Sequence, residues 1–353
     1  MGPLLVEYPI SVLILYFSGE TEDLVDTMEA VTGLKNALED RGHKVRVSEV
    51  NRKNWKRAAN LPGDVVINLV EDPTWELYIK VGTYLEKNCR AQFGHDMHSF
   101  RYVTKKAKVK RRMQKLGIPS PRFRVFNRRS RILRVRGLRY PLIVKPSGQH
   151  AGIGISQASV VKNQKGLTAR VRYLFDNLPG EVIAEEYIEG REIHVTVIGN
   201  NRHVVSLPVC EIIFGGNFEK NWSVYTYEAK WGKGSWEYEE ARAHAPAELN
   251  TLTASRVERA VIKAYRAFKC RDAARMDVRL DKKGKAYIVD VNMNPSLNRF
   301  DDQDATVKSV EALGWNYEEF IETLVGIAYR RVHGRLPDRI RERQFMLAAP
   351  KIL

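Results

Sequence analysis

The sequence of 353 residues predicts an α/β fold that opens with a parallel sheet and closes with antiparallel strands. Three observations carry this. Apolar strand-like runs alternate with amphipathic helical stretches through the first hundred residues. A glycine-rich loop hangs between two β runs near residue 150. A β-hairpin over residues 274–291 carries acidic residues among branched apolar ones.

The first run, Ile10–Phe17 (ISVLILYF), is unbroken, as in a strand covered on both faces. Thr21–Arg41 places Leu24, Met28, Val31, Leu34 and Leu38 on one helical stripe, and Gly42 ends it. Lys44–Val50 alternates as a strand, Val65–Val70 is a second buried run, and Thr74–Asn88 reads as a helix. This order predicts a parallel sheet with helices packed on it. Glu20, Glu22, Asp23 and Asp26 follow the first strand, where open α/β sheets bind ligands. One of them, Glu20 foremost, is a candidate partner for a substrate ammonium; acids favoured near a helix N-terminus are the plainer reading.

Arg101–Gly117 reads as one helix, with Tyr102, Lys106, Val109, Met113 and Leu116 recurring on one stripe. Lys106 on that apolar face either snorkels out or points into a cleft at an anion. Tyr140–Ser156 (YPLIVKPSGQHAGIGIS) carries a β run into Lys145, then a loop with Gly148, Gly152 and Gly154, with a strand resuming at Ile155. Glycines let backbone N–H groups approach phosphate oxygens, and Lys145 supplies a point charge. The order is not that of a P-loop. Glu181–Glu192 (EVIAEEYIEGRE) runs from a strand into Glu185-Glu186-Tyr187-Ile188, an extended link suited to reading an adenine edge. Glu192 then suits ribose hydroxyls, with an exposed acidic turn as the alternative.

Trp222–Ala245 holds Trp222, Tyr225, Tyr227, Trp231, Trp236 and Tyr238. It reads as a closing lid with Lys230 at its charged tip, or as a stacking platform for nucleic acid. Leu249–Lys269 is an amphipathic helix, and Val307–Arg330 a closing helix pair. Between them lies the hairpin Ala274–Leu280 and Ala286–Val291 around Asp281-Lys282-Lys283-Gly284. Asp290 and Asn292 share a strand face. With the turn centred on Lys283-Gly284, Asp277 lies across from Asp290. Two carboxylates and an amide suit magnesium, or manganese in its place. A wet surface hairpin is the competing reading, but a carboxylate flanked by Ile288, Val289 and Val291 is costly without a cation or hydrogen bonds.

Apolar residues make up 44% of the chain, enough for a large core and two or three domains. Cys89, Cys210 and Cys270 lie far apart with no CxxC spacing, so neither a zinc site nor a disulfide framework is indicated. No apolar run reaches the roughly 20 residues of a membrane helix. The start reads as a core strand rather than a leader, and a reducing cytoplasm fits. The formal charge is +16. No acidic residue falls between Asp96 and Asp176, which implies an anionic partner or a solvated basic face.

Taken in order, the lysine ahead of Gly117-Ile118-Pro119, then KPSGQHAGIG, EEYIEGRE, YEAKW and ARMDVRL…YIVDVNMNP resemble the ATP-grasp superfamily, within it the D-alanine–D-alanine ligase-like branch. The resemblance implies three domains, at 1–98, 99–184 and 185–332, with a basic tail at 333–353. It implies that Lys106 and Lys145 hold the ATP α- and β-phosphates and that Glu185 to Ile188 contacts adenine. Glu192 would hold the ribose, and Lys230 would reach the γ-phosphate. Asp277, Asp290 and Asn292 would be magnesium ligands, and Arg275 would stabilise the reacting oxyanion. Asn298 would lie near the second substrate's carboxylate. The implied activity is ATP-dependent joining of a carboxylate to an amine through an acylphosphate, on amino-acid or short-peptide substrates, in a fold whose members are commonly dimers.

This chain departs from that branch at His150-Ala151-Gly152, at Glu186, at Asp290 in place of Glu, and at Ser296-Leu297-Asn298-Arg299. The amino-acid specificity therefore does not carry over. A basic nucleotide-binding protein holding an anionic polymer is the alternative, though no RRM, KH or helix-turn-helix pattern is present to support nucleic acid as a partner.

Overall fold

The computed structural model describes residues 9–334, apart from 130, 131, 133, 134, 136 and 202; nearly all of the expected basic tail lies outside them. The first sheet takes β1 (Ser11–Tyr16), β2 (Lys44–Glu49), β3 (Val65–Leu69) and β4 (Gln92–Phe93) in the parallel order β2-β1-β3-β4. Between them run α1 (Glu22–Asp40), α2 (Trp55–Ala59) and α3 (Glu76–Lys87). The unbroken apolar run of β1 has a physical cause in two helical layers. Val12 and Ile14 pack on Leu34 and Leu38 of α1, whereas Leu13 and Leu15 pack on Leu77, Val81 and Leu85 of α3. Gly42, at φ 84°, lets the chain leave α1 for β2.

The expected helix Arg101–Gly117 is two helices, α4 (Met97–Val103) and α5 (Lys106–Lys115). The break at Thr104-Lys105 frees the first N–H groups of α5. Lys106 N donates to the Ser147 carbonyl at 3.3 Å and Ala107 N to Ser147 Oγ at 3.4 Å. The helix N-terminus is thus tied to the start of the glycine loop, with Lys106 in its first turn. The second sheet, β5 (Phe123–Phe126), β6 (Leu142–Pro146), β7 (Val160–Val161) and β8 (Val182–Glu186), is antiparallel in the order β5-β8-β6-β7. Leu167, Val171 and Leu174 of α6 (Gln164–Asn177) cover one face. No strand resumes at Ile155: a turn and a short 3₁₀ segment, Gln157–Ser159, intervene before β7.

The third sheet holds β9 (Gly190–Asn200), β10 (His203–Ser206), β11 (Cys210–Phe214), β12 (Ala241–His244), β13 (Ala273–Asp281) and β14 (Ala286–Asn292). Its order is β12-β11-β9-β13-β14, with β10 on β9. The aromatic stretch forms α7 (Tyr227–Trp231) and α8 (Trp236–Glu240). Val257, Val261, Ala264 and Tyr265 of α9 (Thr251–Ala267) pack on Met276, Val278 and Ile288. The closing pair is α10 (Ala305–Ala312) and α11 (Tyr317–His333), and α11 also lines the first sheet through Phe320, Ile321 and Leu324. No helix among the described residues is long and apolar enough to cross a membrane.

His95 joins the first sheet to the third. It is fully buried; its Nδ1 accepts from Arg271 N at 3.0 Å, and its Nε2 donates to the Ala273 carbonyl at 2.9 Å. The bond accepted at Nδ1 requires a neutral ring. Burial pushes its pKa from 6.5 down to about 4. The unfolded chain therefore binds the proton first, and stability falls as pH drops from 6.5 toward 4. At 1.36 kcal/mol per pH unit the loss totals about 3 kcal/mol. Denaturant unfolding at pH 7 and pH 4.5 should show this loss in the parent chain and a smaller one in His95→Gln. Equal losses would contradict it.

Candidate active site

The hairpin places its acids by a bulge. Near the turn, Leu280 pairs with Ala286 and Val278 with Ile288; past a shift between Asp277 and Val278, Asp277 pairs with Asp290 and Arg275 with Asn292. Val289 is the extra residue. An uninterrupted ladder would set Val289 against Asp277 and turn Asp290 away. The expected pairing of the two carboxylates is therefore present, but the bulge creates it rather than the turn. Met276, Val278 and Ile288 stay in the core behind.

Cations hold both carboxylates. Arg275 Nε and Asn292 Nδ2 donate to Asp277, each at 2.8 Å, and Lys106 Nζ donates to Asp290 Oδ2 at 2.9 Å. Burial pushes the Asp277 pKa up, but Arg275 and His194 overcome it and hold it well below the usual carboxylate range. Asp290 is likewise lowered, with Lys106 and Lys145 outweighing its burial. Both groups are ionised at neutral pH, as divalent-metal ligands must be. Two charged carboxylates and an amide oxygen on one face of paired strands fit a hard cation such as magnesium.

A second charged group lies behind. Lys110 Nζ and Lys145 Nζ stand 3.3 and 3.4 Å from Glu185 Oε2, and all three side chains are buried. Lys110 also donates to the Ile288 carbonyl at 3.2 Å, fixing α5 to the hairpin. Burial lowers its pKa to about 8, against the pull of Glu185. Lys145 is raised instead, because Glu185 and Asp290 together outweigh burial. Lys110 was missed in the sequence, although it lies one turn beyond Lys106 on the same helix face.

Lys106, Lys230, Arg275, Asp290 and Asn292 line one cavity of about 220 Å³. Lys145, Glu185, Glu192 and Asp277 form the layer behind it. The N–H groups of Glu186 and Tyr187 are spent on the Arg122 and Pro141 carbonyls at 2.9 Å each. Arg279 Nε donates to the Ile188 carbonyl at 3.0 Å and Nη1 to Glu192 Oε2 at 3.0 Å. The carboxylate expected to face ribose is thus paired with Arg279 here.

The lid is docked. Trp231 Nε1 donates to the Ala151 carbonyl at 2.9 Å, and Tyr227 OH donates to Glu22 at 2.7 Å. A Cβ on Gly152 would stand 3.2 Å from the Tyr227 backbone, and Gly152 sits at φ +82°. A Cβ on Gly154, at φ +75°, would meet Leu178 at 2.6 Å. These two glycines allow the loop to pass beneath the lid and past its neighbours. Lys230, expected as the charged tip of the lid, is half-buried with its ammonium 5.0 Å from the Tyr225 ring centroid. Burial and Arg275 lower its pKa.

The far wall is acidic. Asp23, Asp26, Thr27, Ala30 and Leu34 line it at helical spacing from α1, with Glu71, Asp301 and Asp304 beside them. Glu20 is a correction: it precedes the helix, is exposed, and lies outside the cavity wall. Asn298 is another. It is fully buried, and its amide donates to Asp26 at 2.7 Å and to Glu29 at 2.9 Å, so it positions an acid rather than facing the space. Burial raises Asp26 to about 6, Glu71 to about 8 and Asp304 to about 7.

The family described as D-ala D-ala ligase C-terminus matches residues 112–326, well over half of the chain. The chain belongs to this family. A D-alanine–D-alanine ligase of Acetivibrio thermocellus is 30% identical over 235 residues, 64% of this chain and 57% of that protein. One of Bordetella petrii is 29% identical over 219 residues, covering 62% and 61%. An uncharacterized protein of Sinorhizobium fredii is 29% identical over 222 residues, covering 63% and 61%. The chain thus spans about three-fifths of the length of the curated relatives it matches. Among solved structures, the D-alanine–D-alanine ligase of Bacillus anthracis complexed with ATP has a TM-score of 0.72 at 19% identity, covering 92% of this chain and 99% of that one. That of Coxiella burnetii gives 0.69 at 16%, covering 98% and 99%. The fold is therefore that of the ATP-grasp ligases.

Removing one cation from buried Glu185 leaves its charge under-compensated, which costs about 3–5 kcal/mol. Lys110→Met should lose that much in denaturant unfolding, and adding Glu185→Gln should restore part of it. Strictly additive effects would show that the pair does not couple.

Proposed function

We propose that the protein is an ATP-dependent ligase that joins a carboxylate to an amine through an acylphosphate. The observation that carries this is one cavity in which Lys106, Lys230 and Arg275 stand around Asp290, with Asp277 opposed to it in the layer behind, beneath a docked lid. In this reading the three sheets act as the three domains 1–98, 99–184 and 185–332, with nucleotide held between the second and third.

Asp277, Asp290 and Asn292 would hold magnesium, which when bound draws charge from the phosphates of ATP. Lys106 and Lys145 hold the α- and β-phosphates; Lys106 then exchanges Asp290 for phosphate. Glu185 to Ile188 seats the adenine. Glu192 reaches the ribose, which requires it to share or leave Arg279. Lys230 moves from the Tyr225 ring to the γ-phosphate. Arg275 neutralises the carboxylate oxygen as it attacks, and later the oxyanion formed when the amine adds. Catalysis is positioning plus charge neutralisation. Trp231 and Tyr227 keep the lid closed, and so keep water from the acylphosphate.

Asp290→Ala and Lys145→Ala should each cut magnesium-dependent phosphate release from ATP by about 10²-fold or more, measured against a pool of carboxylates and amines, with the circular-dichroism spectrum retained. Near-normal turnover in either folded variant would contradict the assignment.

A further inference from the structure

β14 is an edge strand of the third sheet. At Ile288 that edge is covered: Ile288 N donates to the Pro119 carbonyl at 2.9 Å, and the Ile288 carbonyl accepts from Lys110 at 3.2 Å. Ala286 and Ile288 stand in one unbroken register against Leu280 and Val278. Pairs along an antiparallel ladder alternate between bonding inward and facing outward, so the N–H and C=O of Ala286 face outward as those of Ile288 do. Among the described residues neither group of Ala286 meets an outside partner. Ala286 is only 5% exposed, and unmet backbone groups at such burial are costly. Ala286 lines a groove of about 570 Å³ between β14, α9 and Pro119, which shares no residue with the cavity above.

The side chains of the groove supply an independent observation. Arg256, Arg259 and Lys263 line it from α9, and Lys283 and Lys285 from the hairpin turn; all five are exposed. None of them pairs with a carboxylate among the described residues, whereas the neighbouring Lys282 reaches Glu189 at 3.3 Å. The one carboxylate of the groove, Asp281, is spent on the turn, where its Oδ1 accepts from Lys283 N and Lys285 N at 2.9 Å each. Lys263 Nζ also donates to the Gly117 carbonyl at 3.3 Å and Arg112 Nε to the Ala267 carbonyl at 3.2 Å, which joins this face to the basic surface of α5. Like charges around one concavity disfavour each other, and an anion among them removes that cost. The strand edge asks for more than an anion, since it needs an N–H donor as well as an acceptor. A phosphodiester backbone answers only the cations. A peptide strand with acidic side chains answers both.

We propose that this groove docks an extended acidic peptide segment of a partner protein. The segment adds one rung to the edge of β14 at Ala286 and sets its carboxylates against the cations of α9 and the hairpin turn. Along β14, Ala286 lies about 13 Å from Asp290 at ~3.3 Å per residue. The docking site is thus separate from the candidate active site, and it stands whether or not the ligase reading does.

The test is fluorescence anisotropy of labelled probes titrated with the full chain. The probes are a peptide of repeated Glu-Thr, its Gln-Thr counterpart, the Glu-Thr peptide N-methylated throughout, and a single-stranded oligothymidylate of the same charge. The Glu-Thr peptide should bind at least ~10-fold more tightly than each of the other three, and its affinity should fall as salt rises. Arg259→Glu combined with Lys283→Glu should weaken that binding by on the order of 10-fold or more. Lys53→Glu combined with Lys87→Glu makes the same change of charge at exposed positions elsewhere and should leave it unchanged. Thermal melts establish that both variants fold. Equally tight binding of the oligothymidylate would make the face a nucleic-acid surface and overturn the proposal. Equally tight binding of the N-methylated peptide would remove the strand edge from it and overturn it too. So would equal losses in the two double variants, or no binding of the Glu-Thr peptide at low salt.

Discussion

The pairing of Asp277 with Asp290 is the constraint on which the rest depends. Two carboxylates opposed on adjacent strands repel each other, and nothing in strand propensity favours bringing them together. The chain accepts this through a one-residue bulge at Val289, which keeps Ile288 and Val291 in the core while turning Asp290 to the site. Nine consecutive β13 residues pair with β9 on the other side, and α9 packs behind. The carboxylates therefore stand on rigid sheet, not on a loop.

Around that pair the protein distributes positive charge in layers. Arg275 and Lys106 meet the carboxylates directly. Lys110 and Lys145 lie one layer deeper on Glu185, and Arg279 lies beside Glu192. Each deep cation has a carboxylate partner, because an unpaired charge at that burial would unfold the site. The cations facing the cavity stand closer to their carboxylates, Arg275 at 2.8 Å and Lys106 at 2.9 Å. The break between α4 and α5 serves the same end, since it places Lys106 in a first helical turn anchored on Ser147.

Much of this was legible in the chain. The first sheet followed from β1 being apolar at every position after Ser11, and the hairpin from its turn residues. What escaped were features that local pattern does not encode. The helix break at Thr104-Lys105 leaves no glycine or proline, because its cause is a bond to Ser147 in a distant loop. The bulge at Val289 is silent because a branched apolar residue fits either strand face. Lys110 hid among the lysines and arginines of a basic helix, its burial decided by Glu185 and Ile288. Glu20 was misplaced because the sequence shows where a helix begins but not which of its acids face the sheet's end; the set 23, 26, 27, 30 and 34 does, once the cavity side is known. Asn298 lay near the expected wall, yet its amide turned inward to Asp26 and Glu29.

The central claim is that this cavity activates a carboxylate as an acylphosphate. The most direct measurement is oxygen transfer. The protein would be incubated with magnesium, ATP, an amine mixture and a pool of carboxylic acids labelled with oxygen-18 in the carboxyl group, and the released phosphate examined by mass spectrometry. Formation of an acylphosphate transfers one carboxyl oxygen to each phosphate released, so the account predicts phosphate carrying a single label. Unlabelled phosphate released at a carboxylate-independent rate would mean that water attacks ATP directly and would contradict it.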